Sequence, residues 1–218
     1  HSFVDSVHTN EGGPVVVLVG VPGAGKSTVG RALAARLGVG FRDTDADIEA
    51  STGRVIADIF VESGEPEFRR LEATAVALAL REHPGVLALG GGAVTDPDTR
   101  ALLAEQPTVW LRVGLAAAAQ RAGLGGARPV LMGNIRSQVK GLMDARAGFY
   151  TEVATQVVDT DHLSIDESVD AICAGLGLAA ETRPVGASER HLDPTGSPAP
   201  AAARAPAADN RPAESPND

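Results

Sequence analysis

The sequence predicts an α/β fold in three layers, a five-stranded parallel sheet with helices on both faces. Two observations predict it. Five short, mostly β-branched apolar runs alternate with stretches of helical period. The segments that carry chemistry, GVPGAGKS, DTDAD and GGGAV, each directly follow such a run, where ligand loops lie in parallel sheets. With 218 residues, 44% of them hydrophobic, the chain can bury one sizeable core. Only 3% are aromatic, so alanine, valine and leucine must fill most of it.

Taken in order, residues 1–14 lack the charged-then-apolar layout of a signal peptide and are expected to be a disordered remnant. The first strand, VVVLVG (15–20), breaks into GVPGAGKS, the full G-x-x-x-x-G-K-S spacing from Gly20 to Ser27. Gly20, Gly23 and Gly25 allow a tight turn that faces backbone N–H groups inward at the start of the helix GRALAARLG. Lys26 reaches the β- and γ-phosphates of a bound triphosphate, and Ser27 offers its hydroxyl to Mg²⁺. The motif leaves the acceptor open: water, protein, nucleotide or small molecule.

The second strand, VGFRDT (39–44), runs into DADIEAST. A period of two puts Asp43 and Asp45 on one face, with Asp43 suited to Mg²⁺ and Asp45 to taking a proton from an attacking hydroxyl. The alternative is an N-cap cluster, which Asp47 fits better than its neighbours. EPEFRRLEATAVALALREH (65–83) reads as one long helix with Phe68, Leu71, Ala75 and Leu78 as its apolar stripe. Within it Arg69 and Arg70 point different ways, and Glu72 stands where it can hold Arg69.

The third strand, VLALGG (86–91), ends in Gly90, Gly91 and Gly92, which removes side chains and exposes backbone N–H groups. The fourth is TVWLRV (108–113) and the fifth TQVVDT (155–160). Between them, AGLGGARPVLMG (about 122–133) is too rich in Gly and Pro for a helix and reads as a mobile lid, with an ordinary surface loop as the alternative. MDARAGFYTEVA (143–154) carries Arg146 beside two aromatics. From 182 the chain is rich in Pro and Ala and is expected to be a disordered tail to 218.

A formal net charge of −9 argues against a sequence-independent nucleic-acid binder. No run of about 20 apolar residues is present to cross a membrane. The single cysteine, Cys173, excludes an internal disulfide and fits a reducing cytoplasm, where it reads as a small core hydrophobe.

In this order and at these intervals, GVPGAGKST, DTDADIE, FRRLE, LGGGAV, GGARPV and RAGFYTEVA resemble the bacterial shikimate kinases, of the actinobacterial kind, from about Val15 to about Leu178. The phosphate loop alone is shared with many kinases; DTD followed by FRR and LGGGAV is far more specific. The resemblance implies a single kinase domain over 15–181 with sheet order 2-3-1-4-5. It implies transfer of the γ-phosphoryl of ATP to the 3-hydroxyl of shikimate, with Mg²⁺, on the route to chorismate and the aromatic amino acids. It also implies a cytoplasmic monomer with no nucleic-acid or membrane partner.

Position by position, the resemblance assigns Gly23, Ala24, Gly25, Lys26, Ser27, Thr28, Arg121 and Arg128 to ATP, with Arg121 stacking on adenine. Ser27 and Asp43 match the Mg²⁺ positions. Asp45 matches the contact to the ring hydroxyls, Arg69 and Arg146 those to the carboxylate, Gly90 to Gly92 the backbone floor, and Phe60 and Phe68 the ring walls. Lys26, Asp45 and Arg128, the last in the lid, match the catalytic positions. One departure stands out: where many members carry an arginine after the last strand, this chain has TDHLSID, so His162 or the backbone would have to serve the adenine. A gluconate or nucleoside monophosphate kinase of the same fold would not be expected to show DTD, FRR and GGGAV together. A non-catalytic nucleotide-binding module would be expected to have lost Lys26, Asp45 or an arginine.

Overall fold

Strand β1 (Val16–Val19) is buried along its whole length, and so is β3 (Val86–Ala88) beside it. Unbroken apolar strands of this kind need cover on both faces. The computed structural model, which describes residues 12–124 and 134–178, supplies it. Five parallel strands lie in the order β2-β3-β1-β4-β5, with β2 (Phe41–Asp43), β4 (Thr108–Arg112) and β5 (Gln156–Asp159) completing the sheet. Val17 pairs with Leu87 on one side and Thr108 on the other, which centres the core on β1.

On one face α1 (Lys26–Leu37) packs against α8 (Ile165–Leu176). α1 begins at Gly25, whose φ of 89° is left-handed backbone that glycine adopts without strain, and it buries Val29, Leu33, Ala34 and Leu37. α8 starts in a capping box between Ser164 and Glu167. On the other face lie α4 (Glu65–Glu82), α5 (Pro97–Leu103) and α7 (Ile135–Val153), which pack side by side. α6 (Leu115–Leu124) packs on α7, while α2 (Thr44–Thr52) and α3 (Ile56–Ser63) pack on α4. No helix among the described residues is long and apolar enough to cross a membrane.

Four sequence expectations shift. The strand expected over 39–44 ends at Asp43, and Asp45 stands in the first turn of α2, so the period-two argument for Asp43 and Asp45 does not hold. Asp43, not Asp47, is the N-cap; Asp47 pairs with Arg42 at 2.6 Å instead. The stripe on α4 also turns further than expected, leaving Leu78 39% exposed. α4 has two buried faces: Val76, Ala79 and Leu80 join the main core, and Phe68 joins Ile48 and Ile59 in a second cluster with Phe60, Leu71 and Ala75 against it. Residues 122–124 belong to α6 rather than to the expected lid; the rest of that segment, with residues 1–11 and 179–218, lies outside the described residues.

Candidate active site

The phosphate loop runs from β1 to α1. Lys26 Nζ donates to the Gly20 and Val21 carbonyls at 2.8 and 3.0 Å, folded back over the loop it is expected to serve. Arg121, from α6, donates from Nη1 to the Gly23 carbonyl at 2.6 Å. Between that guanidinium and the start of α8 lies a cavity of about 440 Å³, lined on the loop side by Gly23, Ala24, Gly25 and Thr28. Its far wall includes Thr160, Leu163 and Ile165. His162 is exposed and is not part of the wall; of TDHLSID it is Thr160, Leu163 and Ile165 that line the cavity.

Asp43 divides its carboxylate between two tasks. Oδ1 accepts the Asp45 N–H at 2.9 Å and caps α2, while Oδ2 accepts from the Ser27 hydroxyl at 3.2 Å. A hydroxyl and a carboxylate from two elements thus meet at the mouth of the phosphate loop. Among the described residues no group of three or more His, Cys, Asp or Glu side chains gathers to cage a metal. Hard oxygen donors in so small a number fit Mg²⁺, which keeps several waters and binds phosphate oxygens alongside one or two protein groups.

The acceptor side is built around Gly90, Gly91 and Gly92, all buried. A methyl group at Gly90 would stand 2.7 Å from both Asp45 Oδ1 and Glu72 Oε2. One at Gly92 would collide with the Arg69 guanidinium, and one at Gly91 would lie 2.6 Å from Pro22 Cδ in the phosphate loop. A side chain at Gly91 would press on the rigid Pro22 ring, while one at Gly90 or Gly92 would displace the carboxylates or the guanidinium gathered there. Arg69 Nη1 donates to Glu72 Oε1 at 2.7 Å, and its guanidinium lies over the Phe68 ring, 5.3 Å from the centroid. Phe68 in turn meets Phe60 with centroids 4.6 Å apart.

From the opposite side α7 brings Arg146, buried, and Tyr150, whose hydroxyl donates to the Gly91 carbonyl at 2.5 Å. Burial pushes the Tyr150 phenol up to about 12, against the pull of Arg146 and Arg69. Burial also pushes the Glu72 carboxyl up, opposed by Arg69 and Arg146 and helped by Asp45. Asp45 and Glu72 thus face Gly90, Arg69 faces Gly92 and Tyr150 bonds Gly91, with Arg146 close enough to act on both Glu72 and Tyr150. Arg70 points away, 65% exposed, and pairs with Glu67 at 2.6 Å.

The structure brings together Asp45, Arg69, Arg146, Phe60, Phe68 and Gly90 to Gly92 in one cluster, and Lys26, Ser27, Asp43 and Arg121 in the neighbouring one. Arg128 lies outside the described residues. Sequence reasoning missed Tyr150 and saw Glu72 only as a holder of Arg69. The signal for Tyr150 was present: it follows Arg146 by four, hence on the same helical face.

Comparison with known proteins gives one consistent answer. Residues 22–176 match the family model for shikimate kinase. The chain is 58% identical to the shikimate kinase of Saccharopolyspora erythraea over 160 residues, which cover 73% of this chain and 91% of that one. It is 56% identical to the shikimate kinase of Streptomyces coelicolor over 158 residues, 72% of this chain and 92% of that one. The fold matches that of the shikimate kinase from Acinetobacter baumannii solved in complex with shikimate, with a TM-score of 0.72 and 34% identity, covering 76% of this chain and 93% of that one.

Proposed function

The chain belongs to the shikimate kinase family, and from that premise we propose how its own residues divide the work. The reaction is transfer of the γ-phosphoryl group of ATP to the 3-hydroxyl of shikimate, giving shikimate 3-phosphate in aromatic amino acid biosynthesis. In our reading Asp45 accepts the proton of the 3-hydroxyl as its oxygen bonds to the γ-phosphorus. The bond from that phosphorus to the bridging oxygen breaks, and ADP leaves with the electron pair.

Arg69 and Arg146 grip the shikimate carboxylate, Gly90 to Gly92 form the floor, and Phe60 and Phe68 wall the ring. Lys26 and Arg128 neutralise charge on the moving group, the kind of stabilisation on which phosphoryl transfer mostly depends. Arg121 stacks on the base, while Gly23, Ala24, Gly25 and Thr28 cradle the phosphates. Ser27 and Asp43 would hold Mg²⁺, which neutralises phosphate charge when bound. Residues 15–181 are the catalytic unit, acting as a cytoplasmic monomer.

The observation that carries this division is the gathering of Asp45 and Arg69, with Arg146 close by, at three glycines of which the middle one, Gly91, backs onto Pro22 of the phosphate loop. An anionic substrate beside a triphosphate, in a chain of net charge −9, needs local cations. Two guanidinium forks can supply them.

The test is shikimate binding by titration. Truncating one partner of a buried charged pair costs about 2–5 kcal/mol, so Arg69→Ala and Arg146→Ala are each expected to weaken shikimate by at least about 30-fold. ATP affinity should change little, Arg69→Lys should recover part of the loss, and Arg70→Ala serves as the control. If both alanine variants bind shikimate as the parent does, the carboxylate assignment fails.

A further inference from the structure

Arg100 stands on α5, outside both site clusters, and the division of work gives it no task. Its charged side chain is only 17% exposed and is held on several sides. From Nη1 it donates to the Val94 carbonyl at 2.8 Å and to the Thr95 carbonyl at 3.1 Å, both in the 3-10 turn Ala93–Thr95 that follows the three glycines. Its guanidinium lies over the Phe149 ring, 4.2 Å from the centroid, and its Nε pairs with Glu152 at 3.1 Å. Phe149 and Glu152 both belong to α7 and stand on either side of Tyr150.

These contacts lead to the two guanidiniums assigned to the acceptor's carboxylate. On the floor side Thr95 is bound to Gly92 twice, its N–H donating to the Gly92 carbonyl at 3.1 Å and its hydroxyl to the same oxygen at 2.7 Å. Gly92 in turn lies so close to the Arg69 guanidinium that a methyl group there would collide with it. On the helix side, the ring and the carboxylate that Arg100 holds sit about one turn beyond Arg146 on the same helix. A planar guanidinium can hold two carbonyls, a ring face and a carboxylate in one fixed arrangement. The single ammonium of a lysine cannot.

We propose that Arg100 is a positioning residue for the acceptor: it fixes the floor against α7, and with them the spacing of Arg69 and Arg146 about the carboxylate. The proposal rests on the reading of those two arginines as the carboxylate grip. Arg100 acts through Thr95 on one side and through α7 on the other. The nucleotide cavity takes its walls from the phosphate loop, α1, α6, α8 and the loop after β5, so the loss of Arg100 falls first on the acceptor.

Arg100→Met keeps apolar cover on Phe149 and removes the fork. Because a shift of order 1 Å in positioning groups can cost up to about 10²-fold, shikimate affinity by titration is expected to fall about fivefold or more, with ATP affinity changed less than about twofold. A smaller loss of shikimate affinity, even with a lower melting temperature, overturns the proposal, since Arg100 then only stabilises the fold. An equal loss for both ligands overturns it too. Arg100→Lys keeps the charge and carries the test where Arg100→Met does not fold. Its expected loss is about threefold or more for shikimate alone, and affinity equal to the parent's means that a point charge suffices and overturns the proposal. Should Arg69→Ala and Arg146→Ala bind shikimate as the parent does, the carboxylate reading is what has failed. The hold of Arg100 on α7 is then decided by the fluorescence of Trp110, the chain's one tryptophan, stacked on Tyr150 with centroids 5.4 Å apart. A shifted emission maximum in the Arg100 variant supports that hold, and an unchanged one overturns it.

Discussion

Glu72 is a carboxylate with 3% of its surface exposed, placed between two arginines and beside the proposed base. Burial raises its pKa in the folded state, so the folded protein holds that proton to higher pH than the unfolded chain does. Stability from this group is therefore greatest below the ordinary carboxylate value of about 4.3 and is lost as pH rises through the raised value. Glu72→Gln cannot titrate. Its melting temperature, relative to the parent, is expected to improve between about pH 4 and about pH 7; a relative fall would show that the attraction of Arg69 outweighs burial. Asp45→Asn keeps the shape and removes the basicity, so turnover is expected to drop about 10²-fold or more with ATP binding intact. Unchanged turnover would leave Asp45 a first-turn acid and nothing more. At this scale the sequence singled out residues that the fold brings close to one another, and it misjudged the local backbone around Asp45. Asp43 was legible as a carboxylate for the phosphate loop, but a change from extended to helical backbone within two residues inverted the argument for Asp45, because a capping side chain is also what starts the helix.

At the scale of elements, α7 is a lever with several grips. It carries Arg146 and Tyr150 into the site, while Phe149 lies 4.2 Å from the Arg100 guanidinium and Glu152 pairs with Arg100 at 3.1 Å. Arg100 also donates to the Val94 carbonyl at 2.8 Å, in the short 3-10 turn (Ala93–Thr95) that continues the glycine floor. Floor and helix are thus bound at two points. Tyr150→Phe removes one of them and leaves the buried Gly91 carbonyl without its donor. A cost of about 1–3 kcal/mol is expected, read as a lower melting temperature, together with a higher KM for shikimate. Because the phenol is pushed up to about 12, parent and variant should differ equally at about pH 6 and about pH 9. An equal KM in the two proteins would confine Tyr150 to stability. Long helices such as α4 were legible to within a residue, since the apolar period repeats over five turns. The short α3 was not singled out, because eight residues carry too little period to separate a helix from a loop.

At the scale of the molecule, the number and parallel sense of the strands followed from their apolar runs. Their order followed only from resemblance, because nothing in a buried strand names its neighbour. Convergence was equally hidden: Asp45, Arg69 and Arg146 lie on α2, α4 and α7, and only the packing of those helices against one sheet brings them together. The closeness of Gly91 to Pro22 follows from the same packing, and it bears on how the enzyme could be redesigned. The seat for the acceptor and the cradle for the donor back directly onto each other where Gly91 leaves no room for a methyl group against Pro22, so neither is a cassette that can be exchanged alone. Gly91→Ala, a substitution nominally on the acceptor side, presses on the phosphate loop. It is expected to raise the KM for ATP by about tenfold or more, as a displacement of order 1 Å in positioning groups does, in steady-state assays at saturating shikimate. An unchanged KM for ATP would mean that this contact yields, and that a bulkier alcohol could be accommodated without rewriting the first loop of the chain.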